Sequence, residues 1–513
     1  MKKAFALVFG LLVHATLAAE RPRPNVLFIC ADDMRPWLGC YGQPRAITPH
    51  MDTLAAAGVR FDSAHCQFAL CMPSRTSLLS GLRPDEAGRQ IYLSTGEGSL
   101  HDPNQSIRHL RPDIVTLPQY LRQQGWRTVS IGKVGHDWDE RGFDEYRLGP
   151  AETYNEFEFY VLPESRAKLK DKSLNLPPRG IPFEAADRAD IEYNDTIIAA
   201  DTVTTLQRLK ARGEPFFLAV GLFRPHMPLV CPKRYWDRYP ADQMVLATNL
   251  KQPADVGPFA RFSGPTQTNW KYYRFPEKAD GSVDEVTMRD MIRGYLACIT
   301  FVDVQIGQIL DELKAEGLDK NTIVVLWSDN GYHLGEHGEW NKVTNYEEGT
   351  RVPLIIVDPA APHAGRVVSQ PVELLDLYPT FCDLLGLPKP KHLEGESLLP
   401  LLRGEPGRVR ACAVSIIVRS ALRDLIPEID DAVGWSLRTA RYRYTVWFDG
   451  RTKQILQREL FDHDTDPGEN KNLSGDPAHA AIMNELHEKL LREYIEPQRK
   501  AAAVPRPSAP ASS

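Results

Sequence analysis

Apolar positions along the chain fall into two spacings. Five short runs, Asn25 to Ala31, Arg127 to Ile131, Phe216 to Leu222, Thr322 to Trp327 and Val352 to Val357, are rich in β-branched and aromatic residues and predict buried strands. Between them, apolar residues recur every three or four positions over Pro49 to Gly58, Ile114 to Gln124, Asp195 to Ala211 and Val286 to Lys314, which predicts helices. Strands alternating with helices imply an α/β sheet covered on both faces.

The pattern changes near Arg408. Ala411 to Val418, Trp435 to Arg438 and Tyr442 to Phe448 read as strands and Ala478 to Tyr494 as a last helix, so a small antiparallel subdomain is expected over 408–497 beside a main domain over 24–407. Glu145 to Asp190 shows no clear period and reads as a variable loop region. The end of the chain, 498–513, becomes Ala/Pro/Ser-rich from Ala501, with little to bury, and is expected to be disordered.

The first 19 residues carry Lys2 and Lys3, an apolar stretch from Ala4 to Val13, and small residues at Ala18 and Ala19, which is a secretory signal pattern. The stretch falls short of the roughly 20 residues a membrane span needs. The reading is a secreted or periplasmic protein with no membrane span. Removing Lys2 and Lys3 takes the formal net charge from −6 to −8, so nothing suggests a nucleic-acid partner. An anionic substrate would have to be drawn by a local cationic pocket. The eight cysteines, at 30, 40, 66, 71, 231, 298, 382 and 412, form no CxxC pair and no zinc spacing, and are too sparse for a disulfide scaffold.

Ligand sites in α/β sheets lie beyond the carboxyl ends of the strands, and four of the five runs lead into chemically useful residues. These are Asp32-Asp33, Gly132-Lys133, Arg224-Pro225-His226 and Asp329-Asn330. Three carboxylates and one amide oxygen, with no His or Cys among them, favour calcium or magnesium over zinc. A second feature is Cys71-Met72-Pro73-Ser74-Arg75-Thr76-Ser77-Leu78-Leu79-Ser80-Gly81, which reads as a turn feeding a helix. Pro73 suits the first turn and Gly81 the exit. Cys71 is then expected just before a helix N-terminus, where an anion is favoured, with Arg75 projecting toward it.

This segment carries the signature C-x-P-S-R followed by Leu and Gly, and in it the chain resembles the type-I, formylglycine-dependent sulfatases of the alkaline phosphatase superfamily. Ser80 stands where Thr is commoner. The resemblance implies a large mixed central sheet with helices on both faces plus a smaller C-terminal antiparallel-sheet subdomain. It also implies that a formylglycine-generating maturation enzyme converts Cys71 to 3-oxoalanine (formylglycine), and that Asp32, Asp33, Asp329, Asn330 and the modified Cys71 surround one calcium ion. Lys133 and, in Gly335 to Lys342, Lys342 match the sulfate-binding lysines. His136 matches the residue that hydrogen-bonds the formylglycine diol, and His226 the one that protonates the leaving alcohol. Arg75 completes the catalytic set.

Similarity to the iduronate-2-sulfatase branch runs from about Pro24 to Leu473, through Asp32 to Gly42, Gly81 to Asp85, Pro215 to Gly221, Gly335 to Trp340 and Arg441 to Trp447. It implies a sulfated carbohydrate substrate, with exo action on the 2-O-sulfate of a terminal uronic acid. Asn330 and Tyr332 depart from that branch close to the expected pocket. Three alternatives share these residues: a sulfatase acting on internal polysaccharide residues, a phosphatase or phosphonate hydrolase of the same superfamily, and a silent sulfated-glycan binding protein in which Cys71 stays a thiol.

Overall fold

The computed structural model describes residues 23–42, 45–84, 111, 113–135, 142–148, 159–170, 181–261, 283–361, 364–407, 409–419, 429 and 431–503. The expected leader (1–19), His136 and the chain after Ala503 lie outside the described residues.

An eight-stranded mixed sheet forms the centre. Its strands are β1 (Asn25–Ala31), β2 (Val59–Phe61), β3 (Arg127–Gly132), β4 (Glu145–Arg147), β5 (Phe216–Leu222), β6 (Thr322–Ser328), β7 (Leu354–Val357) and β8 (Arg366–Val368), in the order β8-β2-β7-β6-β1-β5-β3-β4. β1 lies parallel between β5 and β6, and β3 runs parallel to β5. The carboxyl ends of β1, β3, β5 and β6 therefore open on the same side.

Successive residues of a strand face opposite ways, and β1 shows the consequence. Val26, Phe28 and Cys30 pack into one buried cluster, with Phe28 stacked 5.0 Å from Trp327, while Leu27, Ile29 and Ala31 pack into another. The first cluster is roofed by helices α2 (Cys71–Ser80), α3 (Leu117–Gln123) and α6 (Leu377–Leu384). The second is roofed by α1 (Pro49–Ala57), α4 (Asn194–Arg212) and α5 (Glu285–Ala315). The helices expected on both faces are there.

Two expected element boundaries are corrected. The run Val352 to Val357 is not one strand, because Pro353 has no N–H to give a ladder. Arg351–Val352 pairs with Ala64–His65 in a three-stranded sheet, and only Leu354–Val357 joins the central one. The last helix, begun at Ala480–Leu490, continues through a widened turn at Leu491–Ile495 into Glu496–Ala503, six residues into the expected tail. Good helix formers there gain tertiary anchors, since Gln498 donates to the Pro84 carbonyl at 3.1 Å and Arg499 lies over the Phe448 ring.

The small antiparallel sheet is present as β9 (Ala413–Arg419), β10 (Ala432–Arg438), β11 (Tyr442–Asp449) and β12 (Ile455–Asp462). Its Trp435 and Trp447 belong to the same buried cluster as Phe28, and Ile416 donates to the Gln67 carbonyl at 2.8 Å. The segment Glu145 to Asp190, expected to be a loop region, contributes β4 at the sheet edge, held by pairing of Glu145 with Arg127 and Arg208. None of the eight cysteines is paired in a disulfide, and among the described residues no helix is long and apolar enough to cross a membrane.

Candidate active site

The chain leaves β1 through a tight turn in which Asp33 adopts φ 62°, a conformation few residues other than glycine hold without support. The support is visible. Asp33 N–H donates to Asp329 Oδ1 at 3.0 Å, Met34 N–H to Ser328 Oγ at 2.8 Å, and Arg35 N–H to the Tyr295 hydroxyl at 2.8 Å, which itself donates to the Asp33 carbonyl at 2.6 Å. Asp32 and Asp33 thus face Asp329 and Asn330, which leave β6 next door.

Helix α2 points its N-terminus at this group. Cys71 is the first helical residue rather than the residue before the helix, preceded by Leu70 in extended conformation with no side-chain cap. Gly81 ends the helix at φ 74°, as expected. Ser74 Oγ donates to the Asp329 carbonyl at 2.5 Å and ties the helix to β6.

Arg75 does not reach outward toward an anion. Its side chain has no exposed surface, and its donors go to Asp329 Oδ2 at 2.7 Å, Asp32 Oδ1 at 3.1 Å and the Lys133 and Val134 carbonyls. It therefore orients carboxylates from behind. Lys133 follows β3 where that strand crowds β5. Gly132 and Gly221 lie opposite each other, and a methyl on Gly132 would overlap the Gly221 carbonyl. This close approach, with Lys133 N–H on the Gly221 carbonyl at 2.8 Å, sets the lysine against Asp32, with which it forms an ion pair.

Lys342 arrives from the loop after β6, pairs with Asp33, and places Nζ 3.4 Å from Cys71 Sγ. His226 follows β5, with Nε2 3.9 Å from Asp33 Oδ2 and Nδ1 donating to the Met227 carbonyl at 2.6 Å. The His226 and Lys342 side chains are 16% and 11% exposed, while Cys71 is 5% exposed and the carboxylates are buried, so His226 and Lys342 form the solvent-facing side of the group. All the expected site residues except His136, which is not described, come together.

Charge explains the arrangement. Three carboxylates (Asp32, Asp33, Asp329) stand against three cations (Arg75, Lys133, Lys342) in a buried volume. Burial alone would raise Asp32, but Lys133, His226, Arg75 and Lys342 hold it well below the usual carboxylate range. Burial pushes Asp329 up to about 8 despite Arg75, with Asp32, Cys71 and Asp33 adding to the rise. Lys133 and Lys342 are both held above the ordinary lysine value because their carboxylate partners outweigh burial.

Asp32, Asp33, Asp329 and Cys71 each offer a ligand atom within 4.8 Å of the others, and Asn330 Oδ1 is buried with no hydrogen-bond partner. Crowded carboxyl oxygens plus an orphaned amide oxygen fit a hard divalent cation. Sequence reasoning missed Tyr295, Ser328 and Ser74, which shape the turn and fix the helix. Tyr295 sits inside the long helix α5 and Ser328 at a strand end, where nothing local marks them, whereas Ser74 lay within the signature itself.

Residues 24–387 match the family model for Sulfatase, and residues 335–496 match the model for N-sulphoglucosamine sulphohydrolase, C-terminal. The chain belongs to the sulfatase family. It is a sulfuric ester hydrolase. This sulfatase is 31% identical to iduronate 2-sulfatase of Mus musculus, covering 94% of the chain and 97% of that protein. It is 27% identical to the delta 4,5-hexuronate-2-O-sulfatase of Bacteroides thetaiotaomicron, covering 95% and 92%. The solved phosphonate monoester hydrolase of Agrobacterium radiobacter is similar in structure, at TM-score 0.73 and 25% identity, covering 92% and 96%.

Proposed function

We propose that this sulfatase removes a sulfate ester from carbohydrate, acting from the chain end on the 2-O-sulfate of a uronic acid. In this reading Cys71 is converted to formylglycine and one calcium ion is held by Asp32, Asp33, Asp329 and Asn330 together with the modified residue. The observation that carries it is the placement of Cys71 at the mouth of a carboxylate cluster with Lys342 Nζ 3.4 Å away. In the hydrated form, a formylglycine supplies one hydroxyl to attack sulfur and a second whose collapse expels sulfate. The Cys71 sulfur marks where those oxygens would stand.

The remaining work falls to side chains. Lys133 and Lys342 are kept protonated by Asp32 and Asp33 and meet the charge on the non-bridging sulfuryl oxygens. Arg75 keeps Asp32 and Asp329 turned toward the cation site. His226, with Nδ1 committed to the Met227 carbonyl, has Nε2 left for the leaving alcohol, to which it delivers a proton. A calcium ion would add Lewis-acid polarisation of the sulfate. His136 is assigned to the diol on the family pattern.

Two of the relatives are named for 2-O-sulfated uronates, which supports the sugar and position. The signal-like pattern at 1–19 supports a secreted or periplasmic site of action, and in this reading the enzyme acts on oligosaccharides already cut by other enzymes, after maturation by a formylglycine-generating enzyme. Residues 24–407 are assigned to catalysis, and 408–497 to a subdomain that braces it through Arg438 and Arg443 on Glu347. A phosphonate or phosphate monoesterase is the second reading, favoured by the likeness to the phosphonate monoester hydrolase.

Defined sulfated oligosaccharides, assayed by released sulfate with the position of loss mapped by NMR, test the substrate. Loss from terminal 2-O-sulfated uronates is expected. Loss only from internal residues of intact polymer would overturn the exo reading, and faster turnover of a phosphonate monoester would favour the second.

A further inference from the structure

The loop that carries Lys342 contains a second group of ligand atoms, separate from the first. His333 Nδ1, His337 Nδ1 and Glu348 Oε2 are each buried without a hydrogen-bond partner, and the three residues present ligand atoms within 4.8 Å of one another. His333 is 0% and His337 1% exposed. Three unpaired buried polar atoms in one place are costly unless something binds them.

Their partners on the far side prepare the rings as ligands. His337 Nε2 sits 2.9 Å from the Gly468 carbonyl, which can only accept, so the proton is on Nε2 and Nδ1 carries a lone pair. His333 Nε2 lies 2.7 Å from Thr344 Oγ1, which allows the same tautomer. Two imidazoles and a carboxylate thus bring three ligand atoms together.

We propose that His333, His337 and Glu348 form a second divalent-cation site, of zinc type, which fastens the loop between Asn330 and Arg351. Two nitrogens and one carboxylate oxygen select a borderline ion such as zinc over calcium. A tetrahedral zinc site needs ligand atoms about 3.3 Å apart, and the three groups offer ligand atoms within 4.8 Å of one another. The loop is the one that brings Lys342 to Cys71, with Val343 N–H on the Ala69 carbonyl at 2.8 Å. The site therefore holds Lys342 in place and does not touch the reacting atoms. It stands or falls independently of the substrate assigned above.

The test uses the full chain in saturating calcium with added Zn²⁺, and separately with Co²⁺ as a spectroscopic probe. Wild type is expected to keep one zinc per chain through gel filtration, to gain thermal midpoint on zinc addition, and to show visible Co²⁺ absorption of a low-coordinate site. Glu348→Gln, which keeps the shape of the side chain, and His337→Gln are expected to bind zinc about 100-fold or more weakly, with calcium content unchanged. Should His337→Gln fail to fold, the zinc-induced shift of wild type against Glu348→Gln still decides. Absence of bound zinc in wild type would overturn the proposal. So would equal zinc in wild type and Glu348→Gln, or zinc lost with Asp329→Asn but not with Glu348→Gln.

Discussion

Lys342 Nζ lies 3.4 Å from Cys71 Sγ while the same ammonium pairs with Asp33. One ammonium thus touches both the Cys71 thiol, the proposed nucleophile precursor, and a carboxylate of the proposed cation site. Lys342→Ala is expected to lower kcat by about 10²–10³ with a smaller change in KM, because the lost interaction is strongest as charge develops on sulfate oxygens. Lys342→Arg should not restore it, since a planar fork cannot occupy the place of a compact ammonium. Steady-state kinetics on a sulfated disaccharide check this, and an unchanged kcat would contradict it.

Metal removal follows from the electrostatics of Asp329. Burial pushes the Asp329 carboxyl up to about 8 despite Arg75, with Asp32, Cys71 and Asp33 adding to the rise, so a bound divalent cation would favour its ionised form. Chelation is expected to lower activity by about 10³-fold or more and to reduce thermal stability, with calcium restoring both. Asp329→Ala should be equally inactive, and calcium should no longer rescue it. Paired melting curves and rates with and without chelator provide the measurement.

Arg75 is buried and paired with Asp32 and Asp329, and in the proposed mechanism it positions them. Arg75→Ala leaves those carboxylates without their partner and is expected to cost about 3–5 kcal/mol of stability in metal-free protein. Calcium should recover part of that loss, because it supplies the missing positive charge. Arg75→Lys is expected to fold yet bind calcium more weakly, as an ammonium cannot bridge both carboxylates and two carbonyls at once. Denaturant unfolding and calcium titration distinguish these outcomes.

Much of this site was legible because its residues are local in sequence. Asp32-Asp33, Asp329-Asn330 and Gly132-Lys133 end strands that their own apolar runs announce, and Cys71 to Gly81 writes its helix start and stop into the chain. What a side chain faces is not local. Arg75 was expected to project toward an anion, but α2 is buried on every side, so its orientation depends on β6 and on the residues after β3. The strand Ile455–Asp462 was missed for a related reason. Its Leu, Gln, Arg and Glu residues have good helix propensity, and only pairing with Tyr442–Asp449 makes it a strand. His333, His337 and Glu348 gave no signal at all, since only the fold of the loop gathers them.

The pH dependence of stability has a component assignable to Asp303. On α5 it accepts from the N–H groups of Met51 at 2.8 Å and His50 at 3.2 Å at the start of α1. Burial pushes its carboxyl up to about 6 against those hydrogen bonds and His50, with Asp52 adding to the rise. The folded value lies above the unfolded value of about 3.9, so the folded protein holds the proton more tightly. Stability from this group is full below pH ~4 and falls as pH rises to ~6, by at most about 3 kcal/mol. Asp303→Asn, neutral throughout, should therefore gain on wild type by up to that amount between pH 4 and 7. Denaturant midpoints across that range read the difference, and parallel curves would refute it.

The most direct measurement is the mass of the peptide containing Cys71, taken from active protein produced with its maturation enzyme. An aldehyde oxygen in place of the thiol sulfur at Cys71, in a fraction of chains that scales with specific activity, is the result expected for a formylglycine sulfatase. Full sulfatase activity in protein whose Cys71 is entirely thiol would contradict it.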